Sequence, residues 1–169
     1  QHYLSTYPKT SHMTPDTSIY LHIPFCKHRC AYCDFNTYAG QESLIPAYVE
    51  ALIREIEFIG SRVEQVKAPT LFFGGGTPSL LSGTQFASVM SALSSAFNIS
   101  ADAEVTIEAN PGTFSPEKLE SIRKAGINRI SFGVQSSNTE ELRMLEREHD
   151  FFTVIEAVST ARQAGFDNL

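Results

Sequence analysis

Apolar residues recur along this chain with two alternating periods, and the alternation predicts the architecture. Ser18 to Phe25 is an apolar, β-rich run that reads as a strand. A polar loop follows to about Gly40. Ile45, Val49, Leu52, Ile56 and Ile59 then share one face of a helix from about Ser43 to Ile59, with Pro46 in its first turn and Gly60 past its end. Pro69 to Phe73 is a short buried strand ending in Gly74-Gly75-Gly76-Thr77-Pro78. Ser82, with Gln85 three residues on, forms the capping box of a second helix that presents Phe86, Val89, Leu93 and Phe97 to the core. Glu104 to Ala109 alternates as a third strand and Asn110-Pro111-Gly112 turns the chain. Ser115 and Pro116 open a third helix, which carries Leu119 and Ile122 and ends at Gly126. Arg129 to Gln135 is a fourth strand. A short helix from about Asn138 carries Leu142 and Leu145, and Asp150 caps a last one with Val154, Val158 and Ala161, ending at Gly165.

The order is strand–helix repeated, which predicts an α/β fold with a parallel sheet and outer helices. Four such strands are half of a barrel or part of an open doubly wound sheet. In either, chemistry belongs at the carboxyl ends of the strands. The unusual residues all fall there: a cysteine loop after the first strand, the glycines after the second, Glu108-Ala-Asn-Pro after the third and Gly133-Val-Gln135 after the fourth.

Composition narrows the class. Of 169 residues, 42% are apolar and 19% charged, as in an ordinary globular protein, and the net charge is −6. The basic residues form no run or stripe, which argues against nucleic acid as a partner. No apolar stretch approaches the roughly 18 residues of a membrane span. Residues 1–17 are polar, lack the apolar segment of a secretion signal, and read as a loose arm before a core over residues 18–169. The chain begins at Gln1 and stops at Asn168-Leu169, where the next strand is due, so the core is expected to be the first four strand–helix units of a longer one.

All three cysteines, Cys26, Cys30 and Cys33, lie in one C-x3-C-x2-C run. Thiolates this close suggest a soft-metal site in a reducing compartment, here the cytoplasm, rather than a disulfide with one spare thiol. Zinc would need a fourth ligand, which His28 or His22 could supply. A [4Fe–4S] cluster on three cysteines would keep one iron open to a ligand. Spacing does not choose between them.

Other residues carry chemistry less openly. Gly74, Gly75 and Gly76 permit close approach of backbone to a ligand, or simply a flexible turn. Glu108 is a carboxylate near the end of an apolar strand, so it needs a partner: Arg129, Arg147 or a ligand. Gln135 is a strand-end amide that could bond the same ligand. Arg147 sits in the charged run Glu146–Asp150, by default a solvated face. Tyr20 either packs in the core or points its hydroxyl at the site. His22 reads as strand-face filling and His28 as exposed loop.

C-x3-C-x2-C with Tyr32 before its last cysteine resembles the radical S-adenosylmethionine (SAM) superfamily. Tyr20-Leu-His-Ile-Pro-Phe-Cys26, Gly74-Gly-Gly-Thr-Pro78, Ile107-Glu-Ala-Asn-Pro111, Ser131-Phe-Gly-Val-Gln135 and Arg147 resemble, in order, the HemN/HemW family within it. The resemblance implies a partial (β/α)6 barrel and a [4Fe–4S] cluster on Cys26, Cys30 and Cys33. It also implies SAM held at the open iron by its amine and carboxylate. Tyr20, Gly75, Gly76, Thr77, Glu108, Gln135 and Arg147 match SAM-contacting positions, and Tyr32 matches the aromatic beside the adenine. Gly75-Gly76-Thr77 would meet the methionyl amine, Glu108 the ribose hydroxyls and Arg147 the carboxylate. The family also implies a flavodoxin- or ferredoxin-type electron donor.

Family members divide at one position. The oxygen-independent coproporphyrinogen III oxidases carry a fourth cysteine two residues after the third, where this chain has Phe35. Cys33-Asp34-Phe35, Gly133-Val-Gln-Ser-Ser137 and the Ala164–Leu169 ending resemble the heme-chaperone branch instead. Heme as cargo and a heme-acceptor protein are the expectation on that branch; a porphyrinogen substrate is the expectation on the other. A zinc-binding structural domain is the third alternative, and it leaves the glycines, Glu108 and Arg147 unexplained.

Overall fold

The computed structural model of the protein describes residues 16–63 and 66–169. Residues 1–15 of the expected arm lie outside the described residues. Asp16 and Thr17 are tied down, by an ion pair of Asp16 with Lys67 at 3.4 Å and a bond from the Thr17 N–H to the Lys67 carbonyl at 2.9 Å.

Four parallel strands form the main sheet: β1 (Ile19–Ile23), β4 (Lys67–Gly75), β5 (Asn98–Ala109) and β6 (Arg129–Phe132), in that spatial order. Each new strand adds to the same edge. A doubly wound sheet reverses direction at a switch point; the four described strands run on without one, as in the arc of a barrel. Between the strands run α1 (Ile45–Gly60), α2 (Gly83–Ala96) and α3 (Pro116–Lys124). After β6 come α4 (Thr139–Met144) and α5 (Phe151–Gln163). The bridge from Arg129 to Asn168 starts the next pairing beyond β6.

Strand alternation sorts the two faces. Leu21, Ile23, Leu71, Phe73, Val105, Ile107 and Ile130 turn towards the helices and are buried there with Val49, Ile56, Phe86, Val89, Leu93, Leu119 and Ile122. The opposite face carries Tyr20, His22, Phe72, Glu104, Glu108 and Arg129. The expected caps are all present: Ser82 and Gln85 form the capping box, and Ser115, Asn138 and Asp150 accept N–H bonds from the first turns of α3, α4 and α5.

Four strand limits differ from the sequence reading, each for a backbone reason; one is β5, which starts at Asn98 rather than Glu104 because Asn98 and Ile99 pair with Lys67 and Ala68. The first strand is not continuous to Phe25: it stops before Pro24, and Phe25–Cys26 forms a separate strand, β2, paired in parallel with β3 (Tyr38–Ala39). Proline has no N–H to donate to the ladder. The second strand begins at Lys67, so Pro69 lies inside it, where the register against β5 shifts between Ala68 and Thr70; proline inside a strand sits at such irregularities. The fourth strand ends at Phe132, because Gln135 has φ 68° and leaves the extended region.

Register brings the strand ends level. Ile23 pairs with Gly75 and Ala109 with Phe132, and the Phe73–Ile107 pair puts Gly75 beside Ala109. The loops after all four strands therefore leave from one rim.

Candidate metal and cofactor site

The cysteine loop is closed at its base by β2 and β3. Tyr38 donates its N–H to the Pro24 carbonyl at 2.7 Å and Gly40 donates to Cys26 at 3.3 Å. Inside the loop, the Cys33 N–H bonds the Cys30 carbonyl at 3.0 Å, a tight turn that presents both thiols to one side. The glycine loop locks against the same segment: Gly76 donates to Ile23 at 2.8 Å and Thr77 to Phe25 at 2.7 Å. A Cβ on Gly76 would stand 2.6 Å from the Phe25 carbonyl oxygen, so only glycine fits.

Cys26, Cys30 and Cys33 are free thiols that line one cleft of about 380 Å³. Gly75, Gly76, Thr77, Glu108, Gln135 and Arg147 line it with them, and Tyr32 and Phe35 stand at its mouth side, 46% and 67% exposed. Burial pushes the Cys26 thiol up; charges on Cys33 and Cys30 push the same way, and the Thr77 hydroxyl opposes them. Thr37 offers Cys26 a second buried hydroxyl, which lies outside normal hydrogen-bond reach of any partner among the described residues but whose dipole still favours the thiolate. The three thiols thus surround a space that protein atoms leave open. Among the described residues, no three His, Cys, Asp or Glu side chains converge as the ligands of a single metal ion would. A donor set of three thiols is the kind that iron–sulfur clusters use.

Glu108 takes neither arginine as partner. Its Oε2 accepts the Gly75 N–H at 3.1 Å, while Arg129 pairs with Glu104 at 3.7 Å. Arg147 is not on a solvated face. It donates to Asn110 Oδ1 at 2.6 Å, to the Gly133 carbonyl at 2.7 Å and to Cys30 Sγ at 3.4 Å. Its Nε is buried and meets no acceptor among the described residues. Gln135 is in the left-handed region, which turns its side chain back towards Gly133. That conformation costs a non-glycine residue about 1–2 kcal/mol, and such costs concentrate at functional sites.

Tyr20 stands apart. It lies on the polar sheet face, three residues before the end of β1 and so about 10 Å below the rim. Its hydroxyl bonds His22 Nδ1 at 3.0 Å, its ring stacks on Phe72, and partial burial and the charge of Glu108 raise its pKa. His22 also bonds the Asn36 carbonyl at 2.9 Å and lies under Gly75, so it supports the glycine loop rather than filling a strand face passively. His28 is exposed, 3.3 Å from Glu146. Asn110 is the residue that sequence reasoning took only for a turn. It bonds Arg147 and Thr77, and nothing in an Asn-Pro-Gly turn announces that role.

The strand order and the parallel sheet agree with the relatives. Residues 20–169 match the family model of the Radical SAM superfamily. The heme chaperone HemW of Bacillus subtilis (strain 168) is 40% identical over 153 residues, covering 90% of this chain and 40% of that protein. HemW of Escherichia coli (strain K12) is 41% identical over 136 residues, covering 80% of this chain and 36% of that one. Among solved structures, the coproporphyrinogen III oxidase HemN from Escherichia coli, a radical SAM enzyme, superposes with a TM-score of 0.81 at 35% identity, covering 89% of this chain and 35% of that one. The chain belongs to the radical SAM superfamily, and within it to the HemN/HemW family. It spans about two fifths of the length of the curated relatives it matches.

Proposed function

We propose that this chain is the cluster- and SAM-binding part of a heme chaperone of the HemW kind, which binds heme and passes it to an acceptor protein. The observation that carries the reading is the meeting of three free thiols with Gly75-Gly76, Glu108 and Arg147 around one cleft. Phe35, where the oxidases have a further cysteine, and HemW-named relatives at about 40% identity favour the chaperone branch.

Cys26, Cys30 and Cys33 would hold a [4Fe–4S] cluster, which supplies one-electron chemistry towards SAM when bound. The remaining roles fall to the chain's own residues. The Gly75-Gly76 backbone leaves room for the methionyl amine. Arg147, fixed by Asn110 and Gly133, brings its positive charge beside the carboxylate. Glu108 accepts from the ribose hydroxyls while Gly75 holds it in place. Gln135 and Tyr32 bound the nucleoside side of the cleft. Thiolate ligands favour a reducing compartment such as the cytoplasm. Among the described residues no helix is long and apolar enough to cross a membrane. A flavodoxin- or ferredoxin-type protein would supply the electron.

The second reading is oxygen-independent coproporphyrinogen III oxidase activity, favoured by the superposition on HemN. One experiment separates the two. The protein is reconstituted with iron and sulfide without oxygen, then given SAM, a reductant and coproporphyrinogen III, and in parallel titrated with heme. The chaperone reading expects heme binding and no decarboxylated porphyrinogen by mass. Catalytic appearance of that product would overturn it in favour of the oxidase.

A further inference from the structure

We propose that Asn110 is a positioning residue that aims two hydrogen-bond donors at the cluster thiolates and so raises the cluster's reduction potential. The inference rests on the cluster reading above and goes beyond it. Four contacts carry it. Arg147 donates to Asn110 Oδ1 at 2.6 Å, and Asn110 Nδ2 lies 3.3 Å from Thr77 Oγ1. Thr77 Oγ1 is 3.6 Å from Cys26 Sγ, and Arg147 reaches Cys30 Sγ at 3.4 Å.

The direction of every bond in this relay is forced. A guanidinium only donates, so the Asn110 amide must turn its oxygen to Arg147. Its NH2 then faces Thr77, and the Thr77 oxygen accepts. A hydroxyl has one hydrogen, and among the described residues the acceptor it meets is the Cys26 sulfur. Thr77 is 4% exposed, so water does not compete for that hydrogen. Asn110 thus aims the Thr77 hydroxyl at Cys26 and braces the arginine that touches Cys30. Reduction adds negative charge to the cluster and its sulfurs. Donors on those sulfurs stabilise the reduced state more than the oxidised one, which is how hydrogen bonds to sulfur set cluster potentials.

The test is a double-mutant cycle on the anaerobically reconstituted protein. The readout is the midpoint potential in a dithionite titration followed by electron paramagnetic resonance, without SAM. Thr77→Val keeps the shape and removes the donor. It should lower the reduced-to-oxidised ratio at fixed poise at least tenfold, which is about 59 mV for a one-electron couple. Thr77→Ser should keep the wild-type value. Asn110→Asp is isosteric but cannot donate, so Thr77 gives its hydrogen to the new carboxylate and the potential falls. In that background Thr77→Val should add nothing, because Cys26 has already lost its donor; the added charge cancels in this comparison. Thr77→Val matching Thr77→Ser, or falling equally in both backgrounds, would overturn the relay while leaving the cluster reading intact. Wild-type protein that assembles no cluster would overturn both.

Discussion

Glu108 and Gly75, 33 residues apart, are joined by a hydrogen bond from the Gly75 N–H to Glu108 Oε2 at 3.1 Å. The bond orients the only carboxylate among the residues assigned to the cleft and holds the glycine loop at its closest approach to it. Removing the carboxylate should therefore weaken SAM binding twice over, by losing an acceptor and by freeing the loop. Hydrogen bonds to a charged group are worth about 1.5–3 kcal/mol, so Glu108→Ala should raise the SAM dissociation constant roughly tenfold or more. Equilibrium dialysis against radiolabelled SAM reads it; unchanged affinity would remove Glu108 from the site.

Cys26, Cys30 and Cys33 face one cleft and no disulfide ties any of them. Each changed singly to alanine should strip most of the iron, since a cluster on three thiolates has no ligand to spare. Iron and acid-labile sulfide assays on anaerobic preparations measure this. Full iron in all three variants would mean that other residues hold the metal.

Gly76→Ala tests the seam between the glycine loop and β2. Its Cβ would lie 2.6 Å from the Phe25 carbonyl oxygen and 3.0 Å from that of Ile23, both backbone atoms that no rotamer change can move. Overpacking of this kind costs about 1–3 kcal/mol. The strand carrying Cys26 must shift to relieve it. Urea unfolding should show a lower midpoint, and cluster loading should fall in parallel. A normal midpoint with normal loading would show that the seam is looser than it looks.

His149 gives a pH dependence. It is buried, and that burial lowers its pKa; Arg147 pushes the same way, while the Val134 carbonyl and Asp150 oppose. Its Nε2 sits 3.0 Å from the Val134 carbonyl, so the neutral ring donates there and ties the segment after α4 to the loop carrying Gln135. The folded state therefore holds this proton less tightly than the unfolded chain, whose histidine titrates near pH 6.5. The stabilisation is complete above about that pH and is lost as the pH falls from there through the depressed folded value. Melting temperatures between pH 7.5 and 5.5 should decline less for His149→Gln than for the wild type. Parallel profiles would assign the decline to other groups.

Much of this molecule was legible in its residues. The two hydrophobic periods gave the strand–helix order, since a helix buries every third or fourth side chain and a strand every second. Caps at Ser82, Ser115, Asn138 and Asp150 were readable because capping is a contact between residues two or three apart. The cysteine spacing and the glycine run marked the chemistry. What stayed hidden depends on which distant backbone passes where. Pro24 and Pro69 altered strand limits through a ladder that sequence periodicity does not show. Arg147 looked solvated in its charged run, yet the fold brings it against Cys30, 117 residues away. Asn110 looked like a turn residue and became the link between Arg147 and Thr77. Local sequence thus determined the elements and the donor types. Only the parallel register, which levels the strand ends at Ile23, Gly75, Ala109 and Phe132, decided which donors meet.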